Sequence, residues 1–321
     1  MRRFLIKLSI LAVALVVFNL LLLFLVPKDK NSYLSEYTTK VELLEKTPQP
    51  RMVFIGGSNL PFGINSKLIG EAMNRHVINF GLHGGLGVRY LLTDCRPYLK
   101  RGDVAVLQFE YEHFYNSGQG ESYLLFMMAN NWRKCYLLDF AQWRTIISEI
   151  PSEAMFNLKR LRRSITKHTL DTPVNGKRFD YAKSGFNEWG DEVAHFQYPS
   201  TFIQPDLPAT KVVDPEFFDW LAATVAEYEK AGIKVVMLPP VCVESQFKTS
   251  YNEEIAKELN RVHLSYIIEP DSMVLPDSCA FNTGYHLNQK GVELNTRKII
   301  RILSSKGGQE PEARSQKPAN R

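Results

Sequence analysis

Cysteine is scarce in this chain. Only Cys95, Cys135, Cys242 and Cys279 occur among 321 residues, and they are widely scattered. No Cys-x-x-Cys or Cys/His spacing is present, which argues against a zinc site. In an exported protein such a set either forms one or two disulfides or stays as buried thiols. Charge of one sign is also modest: the net charge is +5, part of it in the flanking segments. No basic stripe is interleaved with aromatics and no nucleic-acid module is recognisable, so nucleic acid is not an expected partner. The glycine-rich stretch at 81–87 is not a dinucleotide fingerprint, because the G-x-G-x-x-G spacing fails at Tyr90. It also lacks a companion lysine motif, which leaves phosphate binding a weak third reading of the chain. Finally, no small-x-small cleavage site follows the first apolar run, which exits through Phe24-Leu25-Val26-Pro27-Lys28.

That run is the first thing the sequence does contain. Residues 8–26 are almost unbrokenly apolar, with Asn19 the only strongly polar side chain. About 19 residues rising about 1.5 Å each approach the roughly 30 Å hydrocarbon core. A cleaved signal peptide has a shorter core, about 7–15 residues. Residues 1–27 therefore read as an uncleaved signal anchor that meets the membrane through residues 4–26. Arg2, Arg3 and Lys7 outweigh Lys28 and Lys30 beside Asp29. The expectation is a single-pass plasma-membrane protein with its main domain on the extracytoplasmic side.

Residues 28–50 are polar, with a short helical pattern over 33–46, and read as a linker. From 51 to 305 the composition is that of an ordinary globular domain; overall the chain is 45% hydrophobic and 23% charged. Short apolar runs at 52–55, 77–80, 104–109, 234–238 and 266–268 predict strands. Helical patterns at 66–74, 88–99, 215–231, 252–263 and 291–304 separate them, with Ser66 as the N-cap of the first. This alternation predicts an α/β fold on a parallel sheet. It lapses over about 114–207, an insertion of roughly ninety residues. Helices are expected there at 122–131, 137–149 and 152–170, followed by an aromatic-rich loop. The insertion reads as a cap or substrate-binding subdomain. Its basic cluster at 159–163 faces either anionic lipid or polymer, or plain solvent. The polar tail, 306–321, is expected to be disordered.

The domain is organised around Gly56-Gly57-Ser58, where the first buried strand breaks into a sharp turn. A serine just past the carboxyl end of such a strand sits where open α/β sheets place ligands. It is either a nucleophile or a cap for the next element. The turn at 81–87 either aims backbone N–H groups at an anion or is a tight turn needing positive φ. Glu110, at the end of the third strand, either lines a pocket or belongs to a solvated rim. His286 lies in the loop before the last helix, and in an α/β sandwich both ends can converge at one sheet edge. A histidine within reach of a serine can take its proton and activate it for acyl attack.

These residues resemble the SGNH/GDSL hydrolase family. Gly56-Gly57-Ser58 is similar to its first block and Asn79-Phe80-Gly81-Leu82-His83-Gly84-Gly85 to its second. Residues 100–112 sit where the third block falls, and Tyr285-His286-Leu287-Asn288-Gln289-Lys290-Gly291 is similar to the last. The likeness covers about 51–112 and 213–304. It is closest to membrane-anchored members acting on cell-envelope polymers, relatives of the lipoteichoic acid D-alanine transfer protein and of alginate-type O-acetyltransferase accessory proteins. The resemblance implies a flavodoxin-like three-layer sandwich with Ser58 as nucleophile and His286 as base. It also implies oxyanion-hole donors from Ser58 and from Gly57, Gly84 and Gly85. Two positions depart from the family pattern. Glu110 occupies the neighbourhood of the third-block asparagine, and Asn282 and Thr283 lie where an aspartate normally precedes the histidine, with Asp277 further back. Asn282 then takes the role of orienting His286.

The leading expectation is a serine esterase or O-acyltransferase acting on an envelope polysaccharide or lipid-linked polymer. It needs no metal and no diffusible cofactor, and a membrane acyl-exporting protein is a possible partner. The alternative is a non-catalytic SGNH-like scaffold that binds such a polymer or a membrane acyltransferase.

Overall fold

The structure is a computed structural model that describes residues 1–26, 29–167, 181–203, 205, 207 and 212–306. In chain order its elements are α1 (Arg2–Leu25), α2 (Glu36–Lys46), β1 (Arg51–Gly56), α3 (Ser66–Met73), β2 (His76–Asn79) and α4 (Val88–Cys95). Then come β3 (Val104–Gln108), α5 (Tyr111–Tyr115), α6 (Tyr123–Asn130) and α7 (Phe140–Lys167). The last part holds α8 (Pro215–Lys230), β4 (Lys234–Leu238), β5 (Cys242–Val243), α9 (Thr249–Arg261), β6 (Val274–Leu275) and α10 (Gln289–Lys306).

Four parallel strands form the main sheet in the order β2-β1-β3-β4. β1 is central because its six residues are all buried and apolar side chains project from both faces. Val53 and Ile55 join Ala105 and Leu107 in one apolar cluster, covered by Tyr90 and Leu91 of α4 and Phe217 and Leu221 of α8. Met52 and Phe54 join Val104 and Val106 in the other, covered by Ile69 of α3 and Ile299 of α10. The period of two along each strand thus feeds a core on either face. The chain is mixed α/β with a parallel sheet and one long apolar N-terminal helix.

Several expectations change. The segment read as a linker holds α2, which packs on β2 and buries Tyr37, Lys40 and Leu44 along one side. Lys40 Nζ donates to the carbonyls of Asn79, at 2.7 Å, and Gly190, at 2.5 Å. Burial lowers its pKa to about 8, against the pull of Glu36 and Asp191. Residues 266–268 are not a strand: the Ile267 N–H donates to the Met237 carbonyl at 3.0 Å, and Pro270 then turns the chain. The parallel pair β5–β6 forms a separate small sheet instead. Asn65, not Ser66, caps α3 by accepting from the Leu68 amide, which leaves the Ser66 hydroxyl to donate to buried Asp191 at 2.6 Å. The two helices expected at 137–149 and 152–170 are one, α7, which runs through Pro151; 168–170 lie outside the described residues. All four cysteines are free thiols. The tail expected to be disordered lies, from 307 on, outside the described residues.

Candidate functional site

The loops that follow β1, β2 and β3 leave the same edge of the sheet, because the strands are parallel and in register. They bring Ser58, the Gly84–Leu86 turn and Glu110 together. Two glycines make this possible. A Cβ on Gly56 would stand 2.1 Å from the Gln108 carbonyl oxygen across the strand pair, and one on Gly57 would stand 2.5 Å from Glu110 Oε1. Only hydrogen fits at either place.

Ser58, His83, Gly84, Glu110, Tyr181 and His286 line one cavity of about 570 Å³. Glu110 Oε1 accepts from the Ser58 hydroxyl at 3.1 Å and from the Asn59 amide at 2.8 Å. Through Oε1, Glu110 holds the serine loop, and it lines the cavity as the pocket reading expected. His113 Nδ1 accepts from the Glu110 amide at 3.1 Å, which puts its proton on Nε2 for donation to the Gly84 carbonyl at 3.2 Å. His113 thus joins the ends of β2 and β3.

The amides of Ser58 and Gly84 have no hydrogen-bond acceptor among the described residues, and both residues border the cavity. The Gly85 amide is already given to His83 Nδ1 at 3.0 Å. Of the glycines read as oxyanion donors, Gly84 has a free amide at the cavity, Gly85 does not, and Gly57 supplies clearance for Glu110.

His286 is anchored to the serine loop. The Leu287 amide donates to the Phe62 carbonyl at 3.0 Å, and the Phe62 ring stacks on the imidazole with centroids 4.2 Å apart. His286 Nδ1 lies 2.8 Å from Asn282 Oδ1, while Asn282 Nδ2 donates to the Tyr181 hydroxyl at 2.7 Å. An amide oxygen can only accept, so Nδ1 carries the proton and Nε2 carries the lone pair. Burial, followed by the nearby His195 and His83, lowers the His286 pKa to about 3. The imidazole is neutral through the physiological range. Ser58 and His286 line the same cavity but make no hydrogen bond to each other; the serine hydroxyl is turned to Glu110.

Phe62, Tyr181, His83 and His113 were missed by sequence reasoning. Tyr33 was missed too; it borders the cavity from just ahead of α2 and donates to the Leu82 carbonyl at 2.6 Å. The only signal was the crowding of aromatics and histidines near the serine and glycine turns.

Burial, with a smaller push from His113, also depresses His83, to about 4, and burial depresses His113. In each case the unfolded chain binds a proton below about pH 6.5 that the folded chain refuses. Stability is fully present above that pH and falls as pH drops towards the folded values. For His286 and for His83 the expected slope is about 1.4 kcal/mol per pH unit each between the unfolded and folded values. Thermal unfolding of the full chain in detergent, taken from about pH 7 to about pH 5, checks it. A melting temperature that does not fall contradicts the neutral, buried assignment.

No protein-family model, no curated protein and no solved structure matches the chain.

Proposed function

We propose that the chain is a membrane-anchored serine esterase or O-acyltransferase of the SGNH/GDSL type, built on a flavodoxin-like three-layer sandwich. It acts on an envelope glycan or lipid-linked polymer on the extracytoplasmic side. The observation that carries this reading is one cavity at the carboxyl edge of a parallel sheet, bordered by Ser58, a neutral His286 and two free amides. Helices on both faces of the sheet support the sandwich. The apolar helix α1, with Arg2, Arg3 and Lys7 in its first turns, supports the anchor and its orientation.

In this mechanism the Ser58 hydroxyl rotates away from Glu110 and gives its proton to His286 Nε2 as its oxygen attacks the acyl carbonyl. The Ser58 and Gly84 amides receive the negative charge that develops on the carbonyl oxygen. Collapse breaks the bond to the donor alcohol, which leaves with the proton from His286. A sugar hydroxyl or water then yields its proton to Nε2 as it attacks the acyl-serine, and His286 returns that proton to the Ser58 oxygen as the acyl–serine bond breaks. Asn282 and Tyr181 hold the imidazole in the required tautomer. Glu110, Glu112 and Glu121 border the cavity, and among its described lining residues there is no lysine or arginine. That charge disfavours an anionic group beside the serine and suits a neutral sugar hydroxyl. A membrane acyl-exporting protein fits as the source of the acyl group.

A second reading is a scaffold that binds the polymer, or a membrane acyltransferase, without chemistry. The serine's bond to Glu110 in place of His286 favours it.

Hydrolysis of p-nitrophenyl acetate by the full chain in detergent separates the two. Turnover is expected, and Asn282→Asp is expected to raise kcat at least about tenfold, because a carboxylate stabilises the imidazolium that an amide does not. A folded wild type with no turnover, and no gain in the variant, leaves the scaffold reading.

A further inference from the structure

Helix α7 carries one apolar stripe along its length, and only part of it is covered. At about 100° per residue, positions 140, 143, 147, 154, 158, 161 and 165 share one side. Ala154, Leu158 and Leu161 in that stripe pack on Leu22 of α1 and on Val26 just after it. The rest is open: Phe140 is 85% exposed, Ile147 59% and Ile165 71%. Trp143 is also exposed, and the turn before the helix adds exposed Trp132 and Tyr136. Such an array exceeds the single apolar side chains scattered over ordinary surfaces.

The covered part says what faces the open part. α1 is long and apolar enough to cross a membrane, and its last two turns are the ones that meet α7. A span of that length puts those turns at the edge of the hydrocarbon. α7, packed beside them, is held at the level of the lipid headgroups. Exposed Arg144 and Arg162 flank the stripe at the same angle about five turns apart, and exposed Lys159 lies further round, on stems long enough to reach phosphate. Glu149 stands on the opposite side. Apolar stripe, interfacial tryptophans and tyrosine, and basic flanks are the parts of a helix that lies in a bilayer surface.

We infer that the open stripe of α7, with Trp132 and Tyr136, is seated in the lipid surface and forms a second membrane contact beside α1. The inference rests on reading α1 as a membrane span and deepens the proposed function. A second cavity of about 290 Å³ is bordered by Asp29 after α1, by Phe156 and Arg160 of α7, and by Ser32, Leu34 and Tyr123. The last three also border the cavity of Ser58.

The test uses the full chain in nanodiscs of phosphatidylcholine and phosphatidylglycerol, with and without brominated acyl chains, which quench tryptophan at close range. The chain has 4 tryptophans, and α1 contains none of them. Brominated lipid is expected to remove roughly half of the emission, and Trp132→Phe with Trp143→Phe to abolish that quenching. Phe140→Glu with Ile147→Glu and Ile165→Glu, all at exposed positions, is expected to reduce it severalfold. Quenching that survives the tryptophan replacements overturns the inference. So does its absence while the chain stays in the disc, including the case of two copies covering each other's stripes. A chain that never enters the disc removes α1 as a span and the inference with it. None of these readouts depends on acyl chemistry, so the proposed activity stands or falls separately.

Discussion

Replacing Arg51 with methionine is expected to destabilise the folded domain by about 3–5 kcal/mol, the usual effect of stripping one partner from a buried ion pair. Arg51 opens β1 and is buried together with Asp103, to which it donates through two nitrogens, Nη2 at 2.5 Å and Nε at 3.3 Å. Nη1 donates to the Leu44 carbonyl at 2.5 Å, and Nη2 also to the Tyr98 carbonyl at 2.7 Å. One side chain thus closes the ends of α2 and of the turn after α4 onto the edge of the sheet opposite the cavity. Asp103 is held anionic despite burial by hydrogen bonds from Arg51, Gln49 and the Lys100 amide, which lower its pKa. Methionine leaves that carboxylate buried with its cation gone. Against a total stability of about 5–15 kcal/mol, this is a large fraction. Thermal unfolding in detergent is expected to show a midpoint lower by on the order of 10 °C. The double replacement Arg51→Met with Asp103→Leu is expected to recover much of the loss, because no uncompensated charge remains. A single variant within about 1 kcal/mol of wild type contradicts this account of the sheet edge.

Ser58→Ala and His286→Ala are each expected to lower kcat by roughly 10³-fold or more, and the double variant to lose little beyond either. The near-identity of the losses is the informative part. A nucleophile and its base act as a unit, so the second replacement removes nothing that the first left working. Glu110→Gln distinguishes the two partners available to the serine. If His286 is the base, the glutamine keeps the contact with the Asn59 amide and activity persists. If the carboxylate takes the proton, activity vanishes with Glu110. The pH profile separates them further. With a His286 pKa of about 3, the rate is expected to stay flat from about pH 8 down to about pH 5, whereas an ordinary histidine would give a fall near 6.5.

Much of the sheet was legible because buried strands declare themselves. Residues 52–55, 104–109 and 234–238 are apolar runs bounded by turn residues, and each became a strand of the parallel sheet. Ser58 and His286 were legible as loop residues, and the structure puts both on one cavity wall. Other features had no local signature. The segment at 33–46 is polar on average, and only its spacing of Tyr37, Lys40 and Leu44 hints at a packed face; a lysine in the middle of that face reads as solvent-exposed until its two carbonyl partners are seen. Strands β5 and β6 have two residues each, too few for any period to show. Pro151 reads as a helix boundary, yet α7 continues through it with its apolar stripe unbroken. Glu110 was legible as a pocket-lining candidate, but its hold on the serine loop was not. That contact reaches a serine fifty-two positions earlier and exists only once β1 and β3 pair.

The central claim is that Ser58 carries an acyl group, and intact mass of the full chain after brief exposure to an activated acyl ester tests it most directly. The account predicts a mass increase of one acyl group on wild type, mapped to the peptide holding Ser58, absent in Ser58→Ala and formed far more slowly in His286→Ala. A folded wild type that gains no acyl group, or an adduct that persists in Ser58→Ala, contradicts it.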